Sequence, residues 1–275
     1  MSAIDGTADR SRLRVPAILR WVGWCGLILV GMAAALGDFL SRAPAGAEGL
    51  GPAMAPPSPG FPFGTDDLGR DVLSEVIHAG GVTFNHAAAA TILAATFGSL
   101  SGFAAARGPR SIGAVARYVA GVLISIPPLL LAILLVGLTA KAMAPFAAGI
   151  AASPLAFVRA FDRIRRTDHS AHAEFARITG ISRASLLRRD LSYEFRDTLS
   201  QSIARAIAAV AIILSTASFL GFGASPPDRD LGLMIGAARP LLFTAWWTVA
   251  FPVAVLVMII LFARLAAGLD EGERA

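Results

Sequence analysis

Charge is what this chain has least of. Asp, Glu, Lys and Arg make up 16% of its 275 residues, against about a quarter in soluble domains. Hydrophobic residues reach 55%, and the mean hydropathy is +0.65. That deficit excludes an ordinary water-soluble globule and sets the class as a polytopic, all-α membrane protein. Cysteine is nearly absent: Cys25, inside an apolar run, excludes a disulfide framework and a thiolate metal site. His78, His86, His169 and His172 are scattered and read as packing or interface residues, so no metal site is expected. No Gly-x-x-x-x-Gly-Lys-Ser/Thr loop occurs, so no nucleotide or other cofactor is expected on this chain.

What the chain does have is long uncharged stretches: 21–37, 87–106, 118–140, 142–158, 206–227 and 240–263. About 20 apolar residues at about 1.5 Å each cross about 30 Å of hydrocarbon. Stretch 142–158 is short and holds Pro145 and Pro154. Counting it as a span, with the N-terminus in the cytoplasm, places 19 of the 24 Lys and Arg residues on the cytoplasmic side. Deleting it sends the Arg-rich segment 159–205 outside and inverts the positive-inside bias. Six spans are therefore expected, with both termini cytoplasmic. The net charge of +5 and pI of about 10.5 are assigned to this topology and to anionic membrane lipid, not to nucleic acid.

The expected order is a cytoplasmic segment 1–20, a first helix 21–40, an external loop 41–80, a core 81–270 and a cytoplasmic tail 271–275. Arg10, Arg12, Arg14 and Arg20 ahead of an apolar run also describe a signal peptide. The length of the run and the spans that follow favour a retained helix, with cleavage as the alternative. Residues 41–63 are too rich in proline for a regular helix and read as a loop. After them, Thr65 or Asp66 is expected to cap a helix over 66–78, with Asp66 and Asp67 at its positive end. Leu68, Val72 and Val76 recur every four residues, which suggests an amphipathic helix on the membrane surface.

The apolar stretches contain no carboxylate or histidine. Ion-coupled carriers keep such groups at mid-membrane, and a membrane-embedded enzyme needs a polar catalytic cluster. Both classes remain as alternatives, but the pattern favours a passage energised from elsewhere. The long hydrophilic segment 159–205 reads as helix, break, helix: Gly180 suits a left-handed helix end and Ser182 an N-cap, with Leu186, Leu187 and Leu191 on one face. Two readings stand: a projection that plugs into a groove on another protein, or a basic loop on anionic headgroups.

Three blocks carry a resemblance. They are Phe63-Gly64-Thr65-Asp66-Asp67-Leu68-Gly69-Arg70-Asp71-Val72-Leu73-Ser74, then Glu174-Phe175-Ala176-Arg177-Ile178-Thr179-Gly180, then the segment from Ala217-Ser218-Phe219-Leu220-Gly221-Phe222-Gly223 through Pro226-Pro227 to Asp230-Leu231-Gly232. With Ser125-Ile126-Pro127-Pro128, they make the chain resemble the membrane-spanning permease subunit of dipeptide, oligopeptide and nickel ABC importers. The resemblance runs from about residue 61 to the C-terminus. It implies a type I importer bundle in a bacterial inner membrane, with no catalysis by this chain. Glu174, Phe175, Ala176, Arg177 and Gly180 would form a coupling helix that docks on a separate ATP-binding subunit, which would consume the ATP and magnesium. It also implies a second, homologous permease and an external solute-binding protein carrying a peptide or a metal chelate. Departures are Phe175 for an alanine, Ser192 for a proline and Asp230-Leu231-Gly232 for a Trp-Gly pair. At the external end of the fifth span, the turn Gly221, Gly223, Pro226 and Pro227 reads as punctuation or, with helix 66–78, as a platform for the binding protein. No substrate-binding residue is identified.

Overall fold

The structure, a computed structural model, describes residues 17–168, 203, 205–224 and 229–267. Eight helices of eight residues or more carry the described fold: α1 (Ala17–Ala35), α2 (Val72–Arg107), α3 (Arg110–Ser125), α4 (Pro128–Leu138), α5 (Ala144–Asp168), α6 (Arg205–Phe219), α7 (Leu231–Ala238) and α8 (Trp247–Ala267), with a single extra turn at Gly37–Leu40. Among the described residues there is no strand, only an isolated bridge between Thr65 and Asp71.

Among the described residues, four helices are long and apolar enough to cross a membrane, α1, α2, the one built around α5, and α8, or five if the bent pair α3–α4 is one span, against the six expected. The expected third span is two helices, α3 and α4, bent by 94°. The adjacent Pro127 and Pro128 mark the break: two successive residues lack a backbone donor, and the residue before a proline is biased toward extended backbone. Ile126 accordingly sits at an extended ψ of 127°. The fifth expected span, 206–227, is shorter as a helix: α6 ends at Phe219, and Gly221 turns the chain with φ +88°. The last begins at Trp247 rather than residue 240, because Arg239–Leu241 forms a separate 3₁₀ turn. Pro154 lies inside α5, which continues past it.

Side-chain size is distributed in reverse of a soluble globule. The core is dominated by alanine, among them Ala87, Ala90, Ala94, Ala95, Ala148, Ala208 and Ala211, while Leu29, Phe97, Leu134, Phe146, Val257 and Leu261 face outward. Lipid tails are as apolar as leucine, so helices gain by bringing small faces together and leaving large side chains in the bilayer. The most extensive such contact joins α2 to α5. A Cβ on Gly98 would strike the Ser153 carbonyl, one on Gly102 the Phe157 carbonyl, and one on Gly149 would lie 2.8 Å from the Ala90 carbonyl.

The separate surface helix expected over 66–78 is not found. Helix α2 begins at Val72 and runs without interruption for 36 residues to Arg107. Its cap is Asp71, whose Oδ2 accepts from Ser74 N at 3.3 Å, and neither Thr65 nor Asp66 plays that part. Val72 and Val76, read as facing the membrane surface, are 1% and 3% exposed and belong to the main core. The four-residue repeat marks a buried face, since periodicity does not say what covers it.

Candidate functional site: the turn before α2 and the motif residues

Residues 64–71 of the first motif form a closed turn ahead of α2. Gly64 and Gly69 have φ of +75° and +69°, a region costly to residues with a Cβ. A Cβ on Gly64 would stand 2.7 Å from both the Ala55 carbonyl and Trp247 Nε1, and one on Gly69 would strike the Gly51 carbonyl. Between them, Asp66 Oδ1 accepts from Leu68 N and Arg70 N, each at 2.9 Å, and Asp66 Oδ2 accepts from Arg70 Nε at 2.5 Å. Thr65 Oγ1 accepts from Ala55 N at 2.8 Å and donates to the Pro52 carbonyl at 2.5 Å. Trp247 Nε1 donates to the Thr65 carbonyl at 3.0 Å, which fastens the turn to the start of α8. Phe63 stacks on Phe251 with ring centroids 3.8 Å apart. Of the motif, Thr65, Asp66, Arg70 and Asp71 are buried and Asp67 is exposed. The adjacent aspartates therefore do not act as a pair: Asp66 is held by Arg70, and Asp67 faces outward.

Gly64→Ala should destabilise the chain by about 1–2 kcal/mol from backbone strain alone, with the Trp247 contact adding to it. Gly60→Ala, where an added Cβ meets nothing within 4 Å, should leave thermal stability in detergent unchanged. Equal melting of the two variants would contradict this account of the turn.

A second polar group joins the start of α2 to the loop at Gly46 and to the segment after α6. Glu75 Oε1 accepts from Gly46 N at 2.6 Å, and Glu75 Oε2 lies 3.8 Å from Arg229 Nη1. Asp230 Oδ1 accepts from Leu233 N at 2.8 Å and caps α7, while its Oδ2 accepts from the Ser218 hydroxyl. Thr83 Oγ1, on α2, accepts from Leu231 N at 2.9 Å. The Asp230-Leu231-Gly232 departure thus has a local reason: the aspartate starts a helix, and Gly232 lets it approach the Ser215 carbonyl on α6. Sequence reading left Glu75, Arg229, Ser218, Thr83 and Trp247 unassigned. The one available signal was Asp230 ahead of an apolar run, a helix-start pattern. Beside this group, a cavity of about 250 Å³ is lined by residues including His86, Lys141, Ser218 and Asp230.

Of the external turn, Gly221 opens onto free space at positive φ. Gly223 lies against Ser218, whose Oγ also accepts from Ala224 N at 3.1 Å. Pro226 and Pro227 lie outside the described residues, as do Glu174, Phe175, Ala176, Arg177 and Gly180. At the opposite end of the bundle, Arg117 on α3 makes a two-point ion pair with Asp162 on α5, at 3.0 and 3.1 Å.

These elements define an all-α, multi-pass membrane protein whose helices pack through small residues and are closed on one side by a fixed polar turn. No family model matches the chain. It is 32% identical over 237 residues to the peptide transport system permease protein SapC of Escherichia coli, covering 82% of this chain and 78% of that protein. To SapC of Salmonella typhimurium it is 29% identical over 269 residues, or 94% and 88% of the two chains. To SapC of Haemophilus influenzae it is 30% identical over 217 residues, or 77% and 72%. The chain belongs to the family of peptide-class ABC importer permeases. It is a membrane-spanning component that forms a translocation pathway, it is not itself an enzyme, and ATP hydrolysis belongs to a separate subunit. The secondary carrier and the membrane enzyme are thereby set aside. Membership implies an inner-membrane location and work alongside an ATPase and a binding protein.

Proposed function

We propose that this chain supplies half of a peptide passage, paired with a second homologous permease and driven by ATP-binding subunits docked on segment 159–205. Both termini face the cytoplasm. Glu174, Phe175, Ala176, Arg177 and Gly180 form the docking helix. ATP and magnesium are consumed by the partner subunit, and no cofactor resides on this chain. Peptide is favoured over a metal chelate as cargo because the relatives are named for peptide transport.

The observation that carries the reading is the pairing of α2 with α5. Helix α2 has 36 residues, a length of about 54 Å at 1.5 Å per residue, well beyond about 30 Å of hydrocarbon. It starts in the outer turn and ends near segment 108–110. Helix α5 lies along it for 25 residues and ends in a basic stretch, Arg159, Arg163, Arg165 and Arg166, just before Glu174. Because the α2–α5 contact is close packed through glycine, a push on the end of α5 moves both helices as one body. The outer turn, in which buried Gly64, Thr65, Asp66, Gly69, Arg70 and Asp71 hold Asp67 and Leu68 outward, and the turn at Gly221, Gly223, Pro226 and Pro227 then form the surface on which the binding protein delivers cargo.

Reconstitution tests this. With its ATPase, sister permease and binding protein in proteoliposomes, the chain should take up labelled peptide only when ATP and the binding protein are both present. Uptake driven by a proton or sodium gradient without ATP would refute the proposal.

A further inference from the structure

At the end of the bundle opposite the outer turn, an open groove of about 730 Å³ runs between α3 and α5. Its lining holds three guanidinium groups, Arg110, Arg117 and Arg165, and no carboxylate. Arg117 is already neutralised by Asp162. Among the described residues, Arg110 and Arg165 have no carboxylate partner. Arg110 is exposed, and the Arg165 guanidinium is positioned 5.5 Å above the Phe161 ring. Further along α3 the lining becomes apolar, through Ala114, Gly121 and Val122, and ends at Ser125 before the bend. Tyr118, 74% exposed, stands between the two zones, as aromatic residues do at a membrane interface.

We propose that this groove binds one anionic phospholipid of the cytoplasmic leaflet, with its phosphate on Arg110 and Arg165 and an acyl chain along Gly121 and Val122. Length supports this occupant. From Arg110 to Ser125 the helix rises about 22 Å, against about 15 Å for the hydrocarbon of one leaflet, half of a bilayer core. That leaves room for a headgroup at the basic end. Charge supports it too. Two uncompensated cations above an apolar wall select an anion that carries a tail, and basic pockets between helices on the cytoplasmic side bind such headgroups. A peptide would bring an ammonium group for which the lining offers no acid. The inference rests on the membrane reading and its orientation, but not on the cargo. Failure of peptide uptake with lipid binding intact would count against the proposed function alone.

Native mass spectrometry of the purified full-length protein tests it, using phosphatidylglycerol and phosphatidylcholine of matched acyl chains as probes. Wild type should retain phosphatidylglycerol about tenfold or more over phosphatidylcholine, the scale expected of two interfacial cations. R110Q/R165Q should erase that preference, and R110Q alone, at an exposed position that does not threaten folding, should reduce it. R239Q, on a side chain over Phe219 elsewhere, should leave it unchanged. Equal retention of the two lipids by wild type, or an undiminished preference in R110Q and R110Q/R165Q, would overturn the proposal. Displacement of the lipid by millimolar inorganic phosphate would assign the site to a free anion. Disulfide dimers formed by V122C in a C25S background, in place of labelling by a photoreactive phosphatidylglycerol, would assign the groove to a second copy of the chain. Either result also overturns it.

Discussion

Glu174→Arg and Gly180→Pro should each abolish peptide uptake while the chain still inserts and assembles in the membrane. Both changes fall on the segment proposed to meet the ATP-binding subunit as a short docking helix. Under that proposal, reversing the charge at Glu174 would replace an attraction across the docking interface with a repulsion. Truncating or reversing one member of a desolvated charge pair costs about 2–5 kcal/mol, enough to empty the docked state. Proline at 180 removes a backbone donor and fixes φ near −65°, which excludes the left-handed helix end that glycine permits. The readout has two arms: ATP-driven uptake in proteoliposomes, and membrane-fraction yield of the tagged variants. Uptake near the wild-type rate in both would remove the coupling role from this segment.

The second large effect is expected at the α2–α5 crossing. Gly98→Leu should force its side chain into the Ser153 carbonyl and against Ala156, and Gly102→Leu into the backbone of Phe157. Backbone atoms cannot rotate away as a flexible side chain can, so the helices must separate. Overpacking of this kind costs about 1–3 kcal/mol per site, and the double variant should fail to yield monodisperse protein. Gly137→Leu, in α4 with nothing within 4 Å of the added Cβ, is the control and should purify normally. Because α2 and α5 are proposed to move as one body, any folded Gly98 variant should also lose coupling between ATP hydrolysis and uptake.

Much of this fold was legible in the sequence because hydrocarbon imposes a strong rule: a charge-free stretch of sufficient length becomes a helix. The first helix, the apolar part of α2, α5 despite Pro145 and Pro154, and α8 all follow from it. Where local backbone geometry decided the outcome, composition was a poor guide. Gly64 and Gly69 close a turn that displaces the cap from Thr65 or Asp66 to Asp71, and no periodicity reports a positive φ. Gly80 and Gly81 lie inside α2, where a Cβ on Gly81 would stand 3.4 Å from the backbone of Ala34 on α1. Pro127 was visible, but the 94° bend it produces was not. The polar network was the least legible part of the site, because Glu75 and Arg229, or Thr83 and Leu231, are brought together by the bundle and not by spacing. The coupling motif is legible only through resemblance, and it lies outside the described residues.

The central claim is that segment 159–205 stands on the cytoplasmic side, where a separate ATPase can act on helices that hold no energy source of their own. In a C25S background, cysteines placed singly at Ser170 and Ser182 should react with a membrane-impermeant maleimide only after the cells are opened, while one at Ser58 in the outer loop should react in intact cells. Labelling of positions 170 and 182 in intact cells would contradict the account.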